Sequence, residues 1–530
     1  MLQDRSAICL ACARVLGHKR PGPVAPHAPA LPSPRVRRWA SALGLLALTL
    51  LAWGAVPGGA FQFDDRASAL VQAAPGVRIR PLLALTWAAD RAIHGERAAG
   101  WLAENLVLHC LTVLVVLGLG RRLLSPLGAF LGAAAFALQP ANAEVVAYVS
   151  GRSTGLMSLL LLAGLWGWSP SGSRWRLVAT GVLFTAAVAT KEVALVFPAL
   201  LLISERALVR GGVRRFVSPV VGERSPEAVP GPSRGFRRFV PTAAKRPLPG
   251  GREASAELPL RRIPRALEVS RALEVSDVSW GRLLPFFALA GLLGGALAAI
   301  PRYRELATWS FAARGPLESL ALGVAVLPEQ LSLWFRPWAL SVEHTVDPGR
   351  LLFPGFVLLV ALTALGWTCR RRLPGVTWTI AWVLIALVPT QSLIAKADVL
   401  TEKPLYLAWV GPALFLGGGL AWGWSRLAGQ FPLRWVAGAA IGALVVLAIA
   451  EVRERVATWR TPQALWADAV RKAPQSSRAW NNLASALRTE SLGEALQAAR
   501  RSVALDPSNS VALANLANLE VLCPRGRIPE

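Results

Sequence analysis

Runs of apolar residues, separated by short stretches rich in arginine, are the main pattern of this chain. A helix that crosses a membrane needs about 20 apolar residues, and fewer where the bilayer is locally thinned. Eleven runs meet or approach that length: 39–57, 102–119, 123–138, 155–168, 176–189, 193–204, 283–300, 351–368, 376–394, 405–424 and 435–450. The pattern therefore predicts an α-helical polytopic membrane protein with about eleven spans.

Arginine clusters mark alternate sides of the predicted membrane region. With the N-terminus in the cytoplasm, every inside connection is basic, as the positive-inside rule requires. These connections are Arg121-Arg122, Arg174 to Arg176, 205–282, Arg370 to Arg372 and Arg426 to Arg434. The further apolar run 317–333 is predicted to be re-entrant or interface-lying, because a crossing there would put Arg370 outside. The C-terminus then lies on the outer face.

The composition and the net charge indicate which kind of molecule the basic residues contact. The chain has 530 residues, 54% of them hydrophobic, and a net charge of +26. In a soluble protein that charge would suggest a nucleic acid. Here the basic residues lie between apolar runs, so we expect contact with membrane lipid and no nucleic acid. The excess of arginine, beside much alanine, glycine and leucine, is typical of a GC-rich bacterial genome. We therefore expect the protein to lie in a bacterial inner membrane.

The same patterns divide the chain into five segments. Proline and arginine dominate two of them, which predicts a disordered cytoplasmic tail and a disordered cytoplasmic loop. After Glu451 polar residues become more frequent and a helical period appears. The segments are the tail 1–38, a membrane region 39–204 with a first outer loop 58–101, the loop 205–282, a second membrane region 283–450, and a helical module 451–530.

The module 451–530 fits the tetratricopeptide pattern on the outer, periplasmic side. Residues 479–487 supply bulky side chains at helix-packing positions, and Pro507 ends the following helix. About two repeat units are present. Because fewer than three units rarely stand alone, we expect the module to dock on the membrane part or to be a truncated array.

Two adjacent carboxylates, Asp64 and Asp65, follow the first apolar run. Charge so close to hydrocarbon is costly and marks a candidate functional site. One carboxylate of such a pair is able to act as a base while the other orients it, and two carboxylates are able to hold Mg²⁺ or Mn²⁺, although nothing in the residues requires a metal. The structural alternative is a solvated helix cap or an interfacial anchor.

Further charged residues lie at the outer edges of predicted spans. Glu144 and Arg152 are eight residues apart, and the planar guanidinium suits a phosphate, whereas a charged turn between two spans is the alternative. Asn105 and His109 share a helix face, which favours a packed hydrogen bond within the bundle. The remaining candidates are Lys191 and Glu192, whose charges would otherwise neutralise each other, and Glu402, Lys403 and Tyr406, whose alternative is an interfacial anchor.

Several short motifs follow one another along the chain: Phe63-Asp64-Asp65, Arg80-Pro81-Leu82, Asn105 to His109, Glu144 to Arg152, Lys191-Glu192 and Glu402 to Leu407, followed by the repeats. In this order they resemble the transmembrane-and-tetratricopeptide-repeat O-mannosyltransferase family and its bacterial relatives, which are glycosyltransferases of the GT-C fold. The resemblance covers about 39–204, 283–460 and the repeats.

The resemblance implies inverting transfer of a sugar from a polyprenyl-phosphate donor to a hydroxyl acceptor, with Asp64, Asp65 and Glu144 as the catalytic residues. The implied substrate-binding residues are Arg80, Arg152, Lys191, Glu192, Glu402, Lys403 and Tyr406, of which Arg152 and Lys403 would lie near the donor phosphate. A protein acceptor or partner would bind the repeats.

The chain also departs from the family pattern. Gln139, Thr154 and Leu102 stand where a histidine, an acid and a second histidine are expected. Two alternatives therefore stay open: a non-catalytic membrane scaffold that binds partners through its repeats, and a transporter of lipid-linked sugars. A transporter would need charge pairs deep within spans and internal repeats.

Overall fold

Helices form almost all of the ordered chain. The computed structural model describes residues 34–63, 65, 80–215, 279–390 and 398–522, and it contains no β-strand within those ranges. Asp64, most of the tail 1–38, residues 216–278 of the basic loop, and the end of the chain lie outside the described residues. The chain divides into a unit of residues 1–44 and a unit of residues 45–530. Within the first unit, the described part is the start of helix α1.

We number twenty α-helices in chain order. Those before the basic loop are α1 Pro34–Trp53, α2 Pro81–His94, α3 Ala98–Leu123, α4 Pro126–Ala137, α5 Ala143–Val146, α6 Arg152–Gly167, α7 Arg174–Thr190 and α8 Phe197–Arg215. The next eight are α9 Trp280–Ala299, α10 Pro301–Ala313, α11 Pro316–Ser332, α12 Pro348–Cys369, α13 Pro374–Leu387, α14 Lys403–Ala408, α15 Val410–Arg426 and α16 Phe431–Thr458. The last four are α17 Pro462–Lys472, α18 Ser477–Leu487, α19 Leu492–Leu505 and α20 Ser510–Leu522.

Within the described residues, six stretches are long and apolar enough to cross a membrane by length and composition. They are Arg38–Gly58, Ala98–Leu123, Trp280–Ala299, Pro348–Cys369, Lys403–Arg426 and Phe431–Thr458. Two bent helix pairs raise the count to eight if each is one span. The prediction of a helical multi-pass membrane protein therefore agrees with the structure, whereas the count of eleven stays a prediction. Several of the predicted spans form short helices, such as α13 with 14 residues.

The predicted re-entrant run 317–333 corresponds to α11. This helix follows α10 after a break of two residues and is bent from it by 79°. A bend of that size is compatible with a broken span and with a re-entrant loop, so the prediction for this run stays open. The other bent pair, Pro126–Ala137 with Pro140–Val146, turns by 55° and leads directly into the predicted Glu144 motif.

Glycines allow a close contact between helices α4 and α15. A Cβ atom at Gly417 on α15 would lie 2.2 Å from the backbone nitrogen of Gly132 on α4. Close approach through small residues is how helices associate where lipid removes the hydrophobic driving force. Helix α4 also packs on α3, which in turn packs on α6. This arrangement fixes the segment between α4 and α6 that carries Glu144 and Arg152.

The four helices α17 to α20 are amphipathic or apolar and share one core. It contains Trp466, Ala469, Leu483, Ala484, Ala495, Ala499 and Leu519. Thr461 and Ser476 begin α17 and α18 as N-caps, each accepting a backbone N–H at 3.1 Å. The helices lie where the repeat pattern predicts them. Their assignment as tetratricopeptide repeats stays a prediction.

These four helices dock on the membrane part. Lys472 donates to the backbone oxygen of Leu340 at 2.7 Å, and Arg478 donates to Glu343 at 2.8 Å and also contacts Asp398. Docking of this kind is one of the two outcomes expected for so short an array.

Candidate functional site at the turn before helix α6

A tight turn at residues 149–151 connects α5 to α6 and organises the predicted site. It is a 3-10 helix, Val149–Gly151, and Gly151 is its last residue. A Cβ at Gly151 would lie 2.5 Å from the backbone oxygen of Glu144 and 2.6 Å from that of Val145. Only glycine fits so close to these carbonyls, which is the physical reason for a Gly-Arg pair at this place. Three groups of predicted residues meet this turn from different sides.

Asp65 is the first of them, and it is buried. Its carboxylate accepts hydrogen bonds from the Ser150 hydroxyl at 2.7 Å and from the Ser150 backbone N–H at 3.0 Å. The backbone N–H groups of Val149 and Gln62 add two more at 3.3 and 3.2 Å. Burial raises the pKa of Asp65 to about 6, although all four donors favour the ionised form. Asp65 therefore ties the outer segment to the turn.

The chain approaches Asp65 in an unusual backbone conformation. Phe63 has a φ of 51°, in the left-handed region that non-glycine residues seldom adopt. Its half-exposed ring packs on Tyr148 at 5.3 Å and Trp466 at 5.1 Å, between ring centroids. The other non-glycine residue with positive φ in the described chain is Arg80, at 54°. Both residues belong to predicted motifs and both flank the stretch that contains Asp64. Strain of this kind is commonly kept at functional sites.

Glu144 connects the turn to the segment before α14. One carboxylate oxygen accepts the backbone N–H groups of Glu402 at 2.8 Å and Lys403 at 3.0 Å. The other lies 3.5 Å from the Lys403 ammonium, which also stands 4.5 Å above the ring of Tyr148. The Lys403 side chain is 25% exposed, so it is a partly solvated cation beside the buried acids. Glu144 thus joins two motifs that are more than 250 residues apart.

Glu402 points away from Lys403 and is completely buried. Arg455 donates to both of its oxygens at 3.2 Å, the Ser341 backbone N–H donates at 2.7 Å, and a His344 ring nitrogen lies 3.5 Å away. Burial works against ionisation, but Arg455 and His344 outweigh it and lower the pKa of Glu402. Its position supports the segment that presents Lys403, and it has no exposed surface for a substrate.

Arg152 begins α6 and is 1% exposed. Its guanidinium donates to Asn105 Oδ1 at 2.9 Å and to the backbone oxygen of Trp101 at 2.7 Å. It also lies 2.5 Å from Asp90 and 3.4 Å from Glu104. Arg152 and Glu144 do not lie on one helix, because a turn separates α5 from α6. Arg152 instead faces α2 and α3.

Arg80 and Glu192 form an ion pair close to the same turn. The guanidinium donates to both carboxylate oxygens, at 3.1 and 2.7 Å. Burial opposes ionisation of Glu192, but the pair with Arg80 outweighs it and lowers the pKa of the carboxyl. Lys191 donates to Thr154 at 2.7 Å, two residues after Arg152. Lys191 and Glu192 therefore each have a further partner, Thr154 for the lysine and Arg80 for the glutamate.

The remaining predicted residues lie inside the bundle. Tyr406 is buried and its hydroxyl lies 2.9 Å from His109 Nδ1. Asn105 donates to the Tyr148 backbone oxygen at 2.8 Å. The prediction of packed hydrogen bonds for Asn105 and His109 is thus confirmed. Of the departures from the family pattern, Gln139 and Leu102 are buried, and Thr154 accepts the Lys191 hydrogen bond.

Sequence reasoning missed three residues that hold the site together: Ser150, His344 and Arg455. Ser150 lies inside a predicted motif, and its hydroxyl at a tight turn was a usable signal. Arg455 and His344 lie in stretches with no motif of their own. Only the fold brings them to Glu402.

In the candidate site, the buried carboxylates of Asp65 and Glu144 adjoin the turn 149–151, and the partly exposed Lys403 and the half-exposed ring of Phe63 lie at its edge.

No protein-family model matches this chain. A search among curated proteins also finds no match. The arrangement itself is therefore the basis on which a function is assigned.

Proposed function

We propose that this protein is a membrane glycosyltransferase that moves a sugar from a polyprenyl-phosphate donor to a hydroxyl acceptor, a protein serine or threonine, on the outer, periplasmic face of a bacterial inner membrane. One observation carries the proposal. Asp65 and Lys403 come from distant parts of the chain, and both contact the segment 144–150, which itself carries Glu144. Convergence of charged groups at a membrane edge is expected of a catalytic site and costly otherwise.

In the proposed reaction the acceptor oxygen attacks the anomeric carbon. Asp64 takes the hydroxyl proton, the new carbon–oxygen bond forms, and the bond from the anomeric carbon to the phosphate oxygen breaks. The polyprenyl phosphate leaves with the electron pair, and the configuration inverts. General base assistance of this kind contributes about 10²–10⁴ in rate. Asp65 has the role of a positioning residue, because its hydrogen bonds anchor the segment that carries Asp64.

Lys403 is the cation that we assign to the departing phosphate. Its ammonium is held by Glu144 and by the face of Tyr148, and it keeps contact with solvent. An ammonium group fixed in this way stabilises the negative charge that develops on the leaving phosphate oxygen. Arg152 is assigned a positioning role, because its guanidinium N–H groups already donate to the Asn105 side chain and to the Trp101 backbone oxygen. Arg80, Lys191 and Glu192 line the neighbouring edge of the turn, where the rest of the donor would lie.

The test is transfer by the purified, detergent-solubilised chain. Radiolabelled polyprenyl-phosphate sugars are offered with an acceptor peptide rich in serine and threonine, with and without EDTA, since two aspartates are able to hold Mg²⁺ or Mn²⁺. We expect Asp64→Asn and Lys403→Met each to reduce kcat by at least about 100-fold with an unchanged melting temperature. Glu318→Gln, which alters a carboxylate that is 72% exposed, is the matched control and keeps full activity.

The results separate the enzyme from its alternatives. Transfer that survives Asp64→Asn would exclude Asp64 as the base. Absence of transfer from the wild-type chain with every donor would favour a membrane scaffold. That second function has an observation of its own, because protein groups already satisfy Glu144 and Arg152. In that case partner binding by α17 to α20 is the activity to be measured.

A further inference from the structure

Three side chains at the junction of α2 and α3 lie together without a role in the proposed transfer. Asp90 and His94 are one turn apart on α2, and Glu104 faces them from α3. One ligand atom from each lies within 4.8 Å of the other two. One imidazole nitrogen and two carboxylate oxygens form a ligand set that suits Zn²⁺ and similar divalent cations.

The spacing within this cluster fits a metal better than a hydrogen bond. His94 Nε2 lies 3.4 Å from Glu104 Oε1. Two ligands of a tetrahedral Zn²⁺, each at about 2.0–2.1 Å from the ion, lie about 3.4 Å apart. A good hydrogen bond between the same atoms would be shorter, at about 2.7–3.2 Å. The two groups are therefore set at the distance at which they would hold one ion between them.

Asp90 is the second, independent observation. Its carboxylate has no exposed surface, and one oxygen, Oδ2, is paired with Arg152 Nη1 at 2.5 Å. The other oxygen, Oδ1, has no hydrogen-bond donor among the residues that the structure describes. A buried carboxylate oxygen without a donor is costly. A bound cation would satisfy it.

The absence of a side chain at Gly100 leaves the space that the His94 ring occupies. A Cβ atom at Gly100 would lie 2.2 Å from Cγ of the imidazole, so the ring occupies the place of a missing side chain. The ring and Glu104 stay partly exposed, at 28% and 39%, which gives an ion a route from solvent. Two carboxylates and one guanidinium leave a net negative charge when His94 is neutral, so the site attracts a cation despite Arg152.

We propose that Asp90, His94 and Glu104 bind one divalent cation of the zinc class, with a fourth position open to water. The site is separate from the paired aspartates and does not depend on the glycosyltransferase proposal. By drawing Asp90 and Glu104 together beside Arg152, the ion would fix α2 against α3. A proton shared between the two carboxyls is the competing explanation for their proximity.

The experiment measures Zn²⁺ binding to the purified full chain without a histidine tag. Because Cys9, Cys12 and His18 in the tail are also zinc ligands by type, all proteins carry Cys9→Ser and Cys12→Ser. After EDTA treatment and desalting, we expect one equivalent of Zn²⁺ to bind and Co²⁺ to give a visible absorption band. His94→Ala and Glu104→Gln should each weaken binding by at least about 10-fold, as loss of a ligand does.

Glu96→Gln is the matched control, an exposed carboxylate in the same α2–α3 connection, and it should bind Zn²⁺ as the parent does. The melting temperature of each apoprotein shows that the variants are folded. Zn²⁺ should raise the melting temperature of the parent and the control, and it should leave that of His94→Ala unchanged. Absence of binding in the parent, or equal binding in parent and both ligand variants, would overturn the proposal.

Discussion

Asp65 combines full burial with four hydrogen-bond donors, and its titration has a measurable consequence for stability. The folded protein keeps the Asp65 proton up to about pH 6, whereas an exposed aspartic acid has a pKa of 3.8. The folded state therefore binds more protons than the unfolded chain between these values. Since the folded pKa is the higher one, the contribution of Asp65 to stability is present below about pH 4 and is lost as the pH rises through 6.

This argument predicts a difference between the wild type and Asp65→Asn. From about pH 4 to pH 7 the wild type should lose about 2 kcal/mol of unfolding free energy relative to the variant, because the pKa rises from 3.8 to about 6. Melting temperatures of both proteins in detergent across this range measure the change. Parallel curves for the two proteins would contradict the assigned pKa shift, since all other titrating groups are common to both.

For the other residues of the site, the sequence predicted several candidates but not the partners that they contact. Adjacent aspartates, a Gly-Arg pair and a Glu-Lys pair were recognisable as candidates because charge at a membrane edge is unusual in itself. The partners of these residues were not. Asp90 and Arg455 are ordinary charged residues in the sequence, and they become buried ion-pair partners of Arg152 and Glu402 only through the fold.

At the scale of elements, the contact between α4 and α15 depends on the absence of side chains. Gly417 lies where any Cβ would meet the backbone of Gly132 at 2.2 Å, whereas a Cβ at Gly419 would meet nothing within 4 Å. The two glycines lie on one helix and differ only in what faces them. They therefore form a matched pair for testing the packing.

We predict that Gly417→Ala lowers the free energy of unfolding by about 1–3 kcal/mol, because α4 and α15 must move apart. Gly419→Ala should leave stability unchanged or raise it by up to about 1 kcal/mol, as expected for alanine in a helix interior. Thermal unfolding in detergent measures both changes. Equal effects of the two substitutions would show that the helices are not in close contact at Gly417.

Helices were the elements that the sequence predicted most directly. Hydrophobic runs and caps placed α3, α12, α16 and the four C-terminal helices close to their observed positions. Hydropathy carries no information on where an apolar run breaks. Turns at Pro316, Pro140 and Gly151 accompany the bend between α10 and α11 and the short helices around Glu144, so the apolar runs alone do not fix the number of spans.

At the scale of the whole molecule, one buried ion-pair chain joins the C-terminal helices to the site. Arg455 bridges Glu402 and Asp468, with Nη1 3.4 Å from the latter. Asp468 also accepts from Lys472 at 2.8 Å and from Arg471 at 3.1 Å. The connection runs through side chains that have almost no exposed surface, so loss of its central cation leaves a buried charge uncompensated.

We predict that Arg455→Met destabilises the protein by about 3–5 kcal/mol, the usual cost of breaking a buried ion pair. Arg453→Met is the control, because Arg453 is exposed on the same helix and makes a single hydrogen bond to Leu51. The double variant Arg455→Met with Glu402→Gln should recover part of the loss. Melting temperatures in detergent give the order of the three proteins. An Arg455→Met protein as stable as the control would show that the pair contributes little.

The bridge through Arg455 also has a mechanical consequence. A partner that grips α17 and displaces Asp468 would pull on the guanidinium that neutralises Glu402, and the next residue along the chain is Lys403. A displacement of α17 would then reach the segment that carries Lys403 through two buried side chains. Binding of a partner to α17 and the position of the Lys403 ammonium would be coupled through these ion pairs.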